Sequence, residues 1–144
     1  MINNTDTCPK LRTYCTFKHD IYCEPYLYVI KDFKLRKLLS RFRLSNHSLE
    51  IEKGRHKKPK VPAHLRLCKV CKSDVNIENE AHFLLSCPAY DELRQSYFNI
   101  RRECGLDCDD FISILNCEIT CFYVAKMLQK MFKTRKVILS TDAS

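Results

Sequence analysis

Glycine is almost missing from this chain: Gly54 and Gly105 are the only two in 144 residues. Long irregular loops and tight β-meanders draw heavily on glycine, so a helical fold with short connections is expected. The two lie too far apart to build a Gly-rich phosphate cradle, which excludes the common nucleotide-binding loops and leaves no small-molecule substrate in view. No apolar run approaches the roughly 20 residues of a membrane span, so no membrane partner is expected. The opening stretch "MINNTDTCPKLRTYC" lacks a basic region followed by an apolar one, so no export signal is expected either.

Positive charge and cysteine are what the chain has in quantity. The net charge of +8 is concentrated between Lys31 and Lys72, where fourteen Lys or Arg face only Asp32, Glu50 and Glu52. That local +11 leaves the remainder at −3. A basic block of this size points to a polyanionic partner, nucleic acid ahead of a membrane surface. Ten cysteines would suit a secreted disulfide scaffold. Without export they are expected reduced, as buried small hydrophobes or metal ligands, in an intracellular protein placed in the nucleus ahead of the cytoplasm.

Four segments follow along the chain. Residues 1–23 are mixed, with Cys8, Cys15 and Cys23 at no ligand-like spacing. In residues 24–64, Leu35, Leu38, Leu39 and Phe42 recur at helical spacing, and Lys34, Arg36, Lys37, Arg41 and Arg43 cover the other face of a basic amphipathic helix. Gly54, Pro59 and Pro62 then mark a loop bearing Arg55, His56, Lys57, Lys58 and Lys60, while Leu49 and Ile51 alternate with charge as in a short strand. Residues 65–103 hold a cysteine stretch and a helix with Tyr90, Leu93, Tyr97 and Ile100 on one face. Residues 104–144 supply two more helices, one capped by an Asp of "DCDDF", the other with Cys121, Val124, Leu128 and Met131 on one face. The expected fold is mainly α: a small helical domain organised around a metal knuckle, with at most a short β element before it.

The cysteine stretch, "LCKVCKSDVNIENEAHFLLSCP", reads C-x2-C-x10-H-x4-C from Cys68 through Cys71 and His82 to Cys87. A two-residue separation lets a tight turn aim two thiolates at one point with backbone amides directed at the sulfurs. Asn76 or Asn79 is placed to cap a short helix through "ENEAHFLL" that carries His82, with Cys87 just past its end. Three sulfurs and one nitrogen close a tetrahedral shell that suits one structural Zn2+; a catalytic ion usually keeps a position open. His64 is the substitute ligand, whereas His19, His47 and His56 have no partner at ligand spacing. The pairs Cys104-x3-Cys108 and Cys117-x3-Cys121 suit packing on helices better than a second metal.

Three stretches together, "LSRFRLSNHSLEIEKGRH", "RLCKVC" and "ENEAHFLLSCPAYDELR", resemble the region downstream of the polymerase in reverse transcriptases of invertebrate non-LTR retrotransposons. "FISILN" and "KMLQKMFKTRK" resemble the helical end of the same region, so the likeness runs over residues 12 to 136. It implies a zinc-binding, nucleic-acid-handling terminal region, with ligands on Cys68, Cys71, His82 and Cys87. The polymerase and endonuclease parts of that family have no counterpart in this sequence. "DCDDF" puts Asp107 where an aromatic-x-Asp-Asp hairpin carries its aromatic, and no upstream strand supplies another carboxylate for two-metal phosphoryl transfer. No catalytic residue is therefore expected.

The expected function is phosphate binding to RNA or nicked DNA through Lys34, Arg36, Lys37, Arg41, Arg43, Arg55, His56, Lys57, Lys58 and Lys60. Tyr90, Tyr97 and Phe98 offer rings for base stacking, although their helical spacing suits core packing better. One alternative is a zinc-pinned protein-interaction module for acidic partners, with "RHKKPKVP" as an import-type tract. Another is a retroelement fragment without function.

Overall fold

The computed structural model describes Leu11 and residues 13–143; Cys8 and the first ten residues lie outside it. Seven α-helices run through the described residues: α1 Tyr14–Phe17, α2 Tyr26–Val29, α3 Phe33–Arg43, α4 Glu50–His56, α5 Asp91–Glu103, α6 Phe111–Asn116 and α7 Cys121–Asp142. No strand forms among them; one antiparallel bridge, Leu67 to Ile77, brackets the turn that carries Cys68 and Cys71. No helix among them is long and apolar enough to cross a membrane.

The apolar periodicities decide how these helices pack. Asp32 starts α3 by accepting from the amides of Lys34, at 2.8 Å, and Leu35, at 3.2 Å. Leu35, Leu39 and Phe42 then bury against α7, whose Val124, Leu128 and Met131 are equally enclosed. From α6, Ile114 and Leu115 complete the same core. Phe42, Phe83 and Phe132 meet at its centre, with Phe83 and Phe132 ring centroids 4.6 Å apart. Phe83 neighbours His82, so this candidate ligand rides on a residue whose full burial alone contributes on the order of 1.5–3 kcal/mol.

Two expectations fail here. Leu49 and Ile51 are not a strand: Glu50–His56 is helical, with Glu50 and Glu52 in its first turn and Lys53, Arg55 and His56 in its last, the arrangement a helix dipole favours. Gly54 is therefore a helix residue and not a loop marker. A Cβ there would lie 2.6–2.9 Å from three atoms of the Arg66 side chain, which crosses α4 at that point. Arg66 is held in place by donating to the carbonyls of Val61, at 2.9 Å, and Ile51, at 2.7 Å.

Candidate metal centre and basic surface

Cys68 and Cys71 sit on a tight turn whose geometry the backbone supplies. The backbone amides of Val70 and Cys71 favour the Cys68 thiolate, and that of Ser73 favours the Cys71 thiolate. Lys72 has φ 54°, in the left-handed region, and this turns the Ser73 amide back toward Cys71. His82 and Cys87 come from a different device. Asn79 caps their turn by accepting from the His82 amide at 2.8 Å. The turn then widens: the Cys87 amide donates to the His82 carbonyl at 2.8 Å, five residues back instead of four. That extra residue sets Cys87 just past the end of the turn, where the Ala89 amide favours its thiolate.

The four donor atoms lie within 4.8 Å of one another. Cys68 Sγ and Cys87 Sγ are 4.0 Å apart, and Cys71 Sγ and His82 Nε2 are 3.5 Å apart. These separations are about double a disulfide bond and match the edges of a tetrahedron drawn around one ion. Cys68, Cys87 and His82 are buried and Cys71 half-buried. The cluster is compatible with a metal site, and burial and mutual hydrogen bonding set its protonation states. The Cys68 thiol is pushed well up by its hydrogen bond to Cys87 and by burial, while the same bond draws Cys87 down. Burial raises Cys71 and lowers His82. Three thiolates this close repel one another, and a positive charge among them would favour their ionisation.

A ring of buried charges fixes the site to the helices. Arg94 of α5 donates to the carbonyls of Leu84 and Cys87, both at 2.9 Å, and pairs with Asp91. Glu78, between knuckle and turn, accepts two bonds from Arg135 of α7, at 2.7 and 2.9 Å, and one from the Glu50 amide, at 2.7 Å. His47 pairs with Glu80 at 2.8 Å. None of these partners was legible as such, though one signal existed: Arg94 and Arg101 fall on the stripe set by Tyr90 and Tyr97, where a solvent-facing arginine does not belong.

The basic residues divide. Lys34, Lys37, Arg41, His56, Lys57, Lys58 and Lys60 are exposed. Arg36 is half-buried, donating to the Ile30 carbonyl at 3.2 Å, and Arg55 is half-buried against Glu52 at 2.7 Å. Arg43, expected outward, is buried. Its guanidinium lies 4.2 Å from the Phe17 ring centroid and 5.0 Å from that of Tyr26, pairs with Glu24 at 2.9 Å and reaches the Leu115 carbonyl. It is a strut between α1, α2, α3 and α6 and leaves the candidate surface. Tyr90 and Tyr97 are likewise core residues.

His64 is exposed and outside the cluster. Cys121 is buried, Cys117 half-buried, and Cys104 and Cys108 exposed; these four form no second ligand group among the described residues, and only Cys121 packs as a core residue. In "DCDDF", Asp110 caps α6 by accepting from the Ser113 amide at 2.9 Å, and Asp109 pairs with Arg101, at 2.9 Å, and with Arg102. No family model, curated protein or solved structure matches the chain.

Proposed function

We propose that this protein is a zinc-stabilised module that binds nucleic acid through phosphate contacts. On this reading it is an accessory region of the kind its likeness to retrotransposon reverse transcriptases implies, with no chemistry of its own. Zinc is the ion favoured by a three-sulfur, one-nitrogen shell: sulfur bonds of about 2.3 Å and a nitrogen bond of about 2.0 Å require donor separations close to those here. A closed shell of four protein ligands makes the ion structural, and its thiolates suit a reducing, intracellular setting.

The observation that carries the reading is the exposed basic row: Lys34, Lys37 and Arg41 on α3, and His56, Lys57, Lys58 and Lys60 at and beyond the end of α4. Its α4 end is tied to the metal module through Glu50, Glu78 and Arg66, so the ion supports the surface that meets phosphate. Contacts of this type give affinity with little sequence readout and strong salt dependence.

The test is fluorescence anisotropy of the zinc-loaded chain with a labelled RNA hairpin and a nicked DNA duplex. Affinity is expected to fall at least ~100-fold between 50 and 200 mM salt. Salt-independent binding, or none, would overturn the reading. RNA that fails to displace an acidic protein partner would favour the protein-docking alternative instead.

A further inference from the structure

We propose that the solvent face of α7 is a second nucleic-acid contact, one that follows a single unpaired strand. The inference rests on the nucleic-acid reading and extends it to the class of substrate. Val124, Leu128, Met131 and Arg135 are buried, which fixes the rotation of α7 and turns the opposite face outward. On that face Lys126, Lys130 and Lys133 follow at i, i+4 and i+7, with Lys136 beside them, all exposed. No Asp or Glu occurs from Ile119 to Thr141. None of the four lysines pairs with a carboxylate among the described residues. A helix face kept soluble by charge alone commonly interleaves acids with lysines, and this one has none.

Aromatic rings open the row. Phe122 and Tyr123 are 37% and 42% exposed and stand edge to face at 5.5 Å, with Lys126 Nζ 5.7 Å from the Phe122 ring centroid. From Tyr123 to Lys136 the helix advances about 20 Å. A cleft of about 350 Å³ lies between α3 and α7, lined by Leu38, Arg41, His47 and Phe132 among others. Lys136 stands one turn beyond Phe132 on α7, past the residue that lines this cleft.

A single file of cations suits one sugar-phosphate backbone, and exposed rings at its start suit bases that are free to stack. Duplex bases are already stacked on each other and gain little from such rings. The two features together select an unpaired strand over a duplex.

The test uses the full zinc-loaded chain, a labelled 15-nucleotide single strand and a hairpin of the same length. One variant carries Lys126→Gln, Lys130→Gln and Lys133→Gln; the other is Tyr123→Ala. All four side chains are exposed, and circular dichroism with zinc content verifies that both variants fold. The triple variant is expected to bind the single strand at least tenfold more weakly, with its salt slope reduced by about 2. Tyr123→Ala is expected to cost about 5- to 100-fold. Hairpin affinity should stay within twofold in both. Unchanged single-strand affinity in either variant would overturn the α7 contact while leaving the nucleic-acid role standing, and equal losses on hairpin and single strand would overturn its preference for an unpaired strand. A wild-type chain that binds neither probe would remove both readings.

Discussion

The Arg94 guanidinium donates to the carbonyl oxygen of Cys87 at 2.9 Å, so α5 holds the widened turn that carries two of the four candidate ligands. A second bond, to the Leu84 carbonyl, pins the middle of that turn. Arg94 is buried, and removing it takes the side-chain donor from the Leu84 carbonyl and leaves Cys87 only the longer bond from the Tyr90 amide, at 3.3 Å. Arg94→Met keeps most of the volume and none of the donors. Zinc affinity, measured by competition with a chelating indicator, is expected to drop about 10- to 100-fold. Wild-type affinity would mean that the turn keeps its shape unaided.

Gly54 and Arg66 yield a prediction whose sign depends on background. In an ordinary helix Gly→Ala stabilises by about 1 kcal/mol. Here the new Cβ meets an arginine anchored at both its Nε and Nη1. Gly54→Ala alone should therefore destabilise, by about 2 kcal/mol once a buried hydrogen bond is lost. In an Arg66→Ala background the same change should stabilise, giving a large coupling in a urea-unfolding double-mutant cycle. Additive effects would show that the two side chains do not compete for this space.

Why the charged framework escaped sequence reading is visible in the same residues. The stripes Leu35–Leu39–Phe42 and Val124–Leu128–Met131 are local and periodic, and they pack as expected. The four candidate ligands also converge, because their spacings encode two short turns. Arg43 looked like its neighbours Arg41 and Lys37 because a charge count does not register Phe17, Tyr26 and Glu24, which surround it from 17 to 26 residues upstream. The alternation at Leu49 and Ile51 was real but is not a strand pattern. Both are buried beside Glu50, whose amide is held by Glu78 from 28 residues away.

Ser45 closes α3 with φ 57°, its amide donating to the Phe42 carbonyl and that of Asn46 to Arg41 at 2.8 Å. This is the C-terminal motif in which glycine is preferred. The Ser45 side chain is buried, and its hydroxyl has no hydrogen-bond partner among the described residues. Ser45→Gly removes both a left-handed cost of about 1–2 kcal/mol and an unsatisfied polar atom, against a smaller entropic cost of glycine. The net expectation is about 1 kcal/mol of added stability, a rise of roughly 3–5 °C in Tm. A lower Tm would place a partner on that hydroxyl.

Loading the four-donor cluster with zinc has to expel protons, and the count follows from the local environment. Cys68, raised by its bond to Cys87 and by burial, and Cys71, raised by burial, both carry protons at neutral pH. Cys87 is drawn down by the Cys68 bond, and burial keeps His82 neutral by moving it below its usual value. Zinc binding at pH 7 should therefore release about two to three protons per ion, two from Cys68 and Cys71 and the rest from Cys87. The sign is fixed: protons compete with the metal for the sulfurs, so apparent affinity rises with pH between 6 and 8 and falls with acid. Calorimetry in two buffers of different ionisation enthalpy reads the count directly. Since Phe83 and Leu84 share the turn with His82, stripping the ion with a chelator should also lower Tm. Affinity that stays level across this pH range, or a Tm that ignores the chelator, would remove the thiols from the coordination shell.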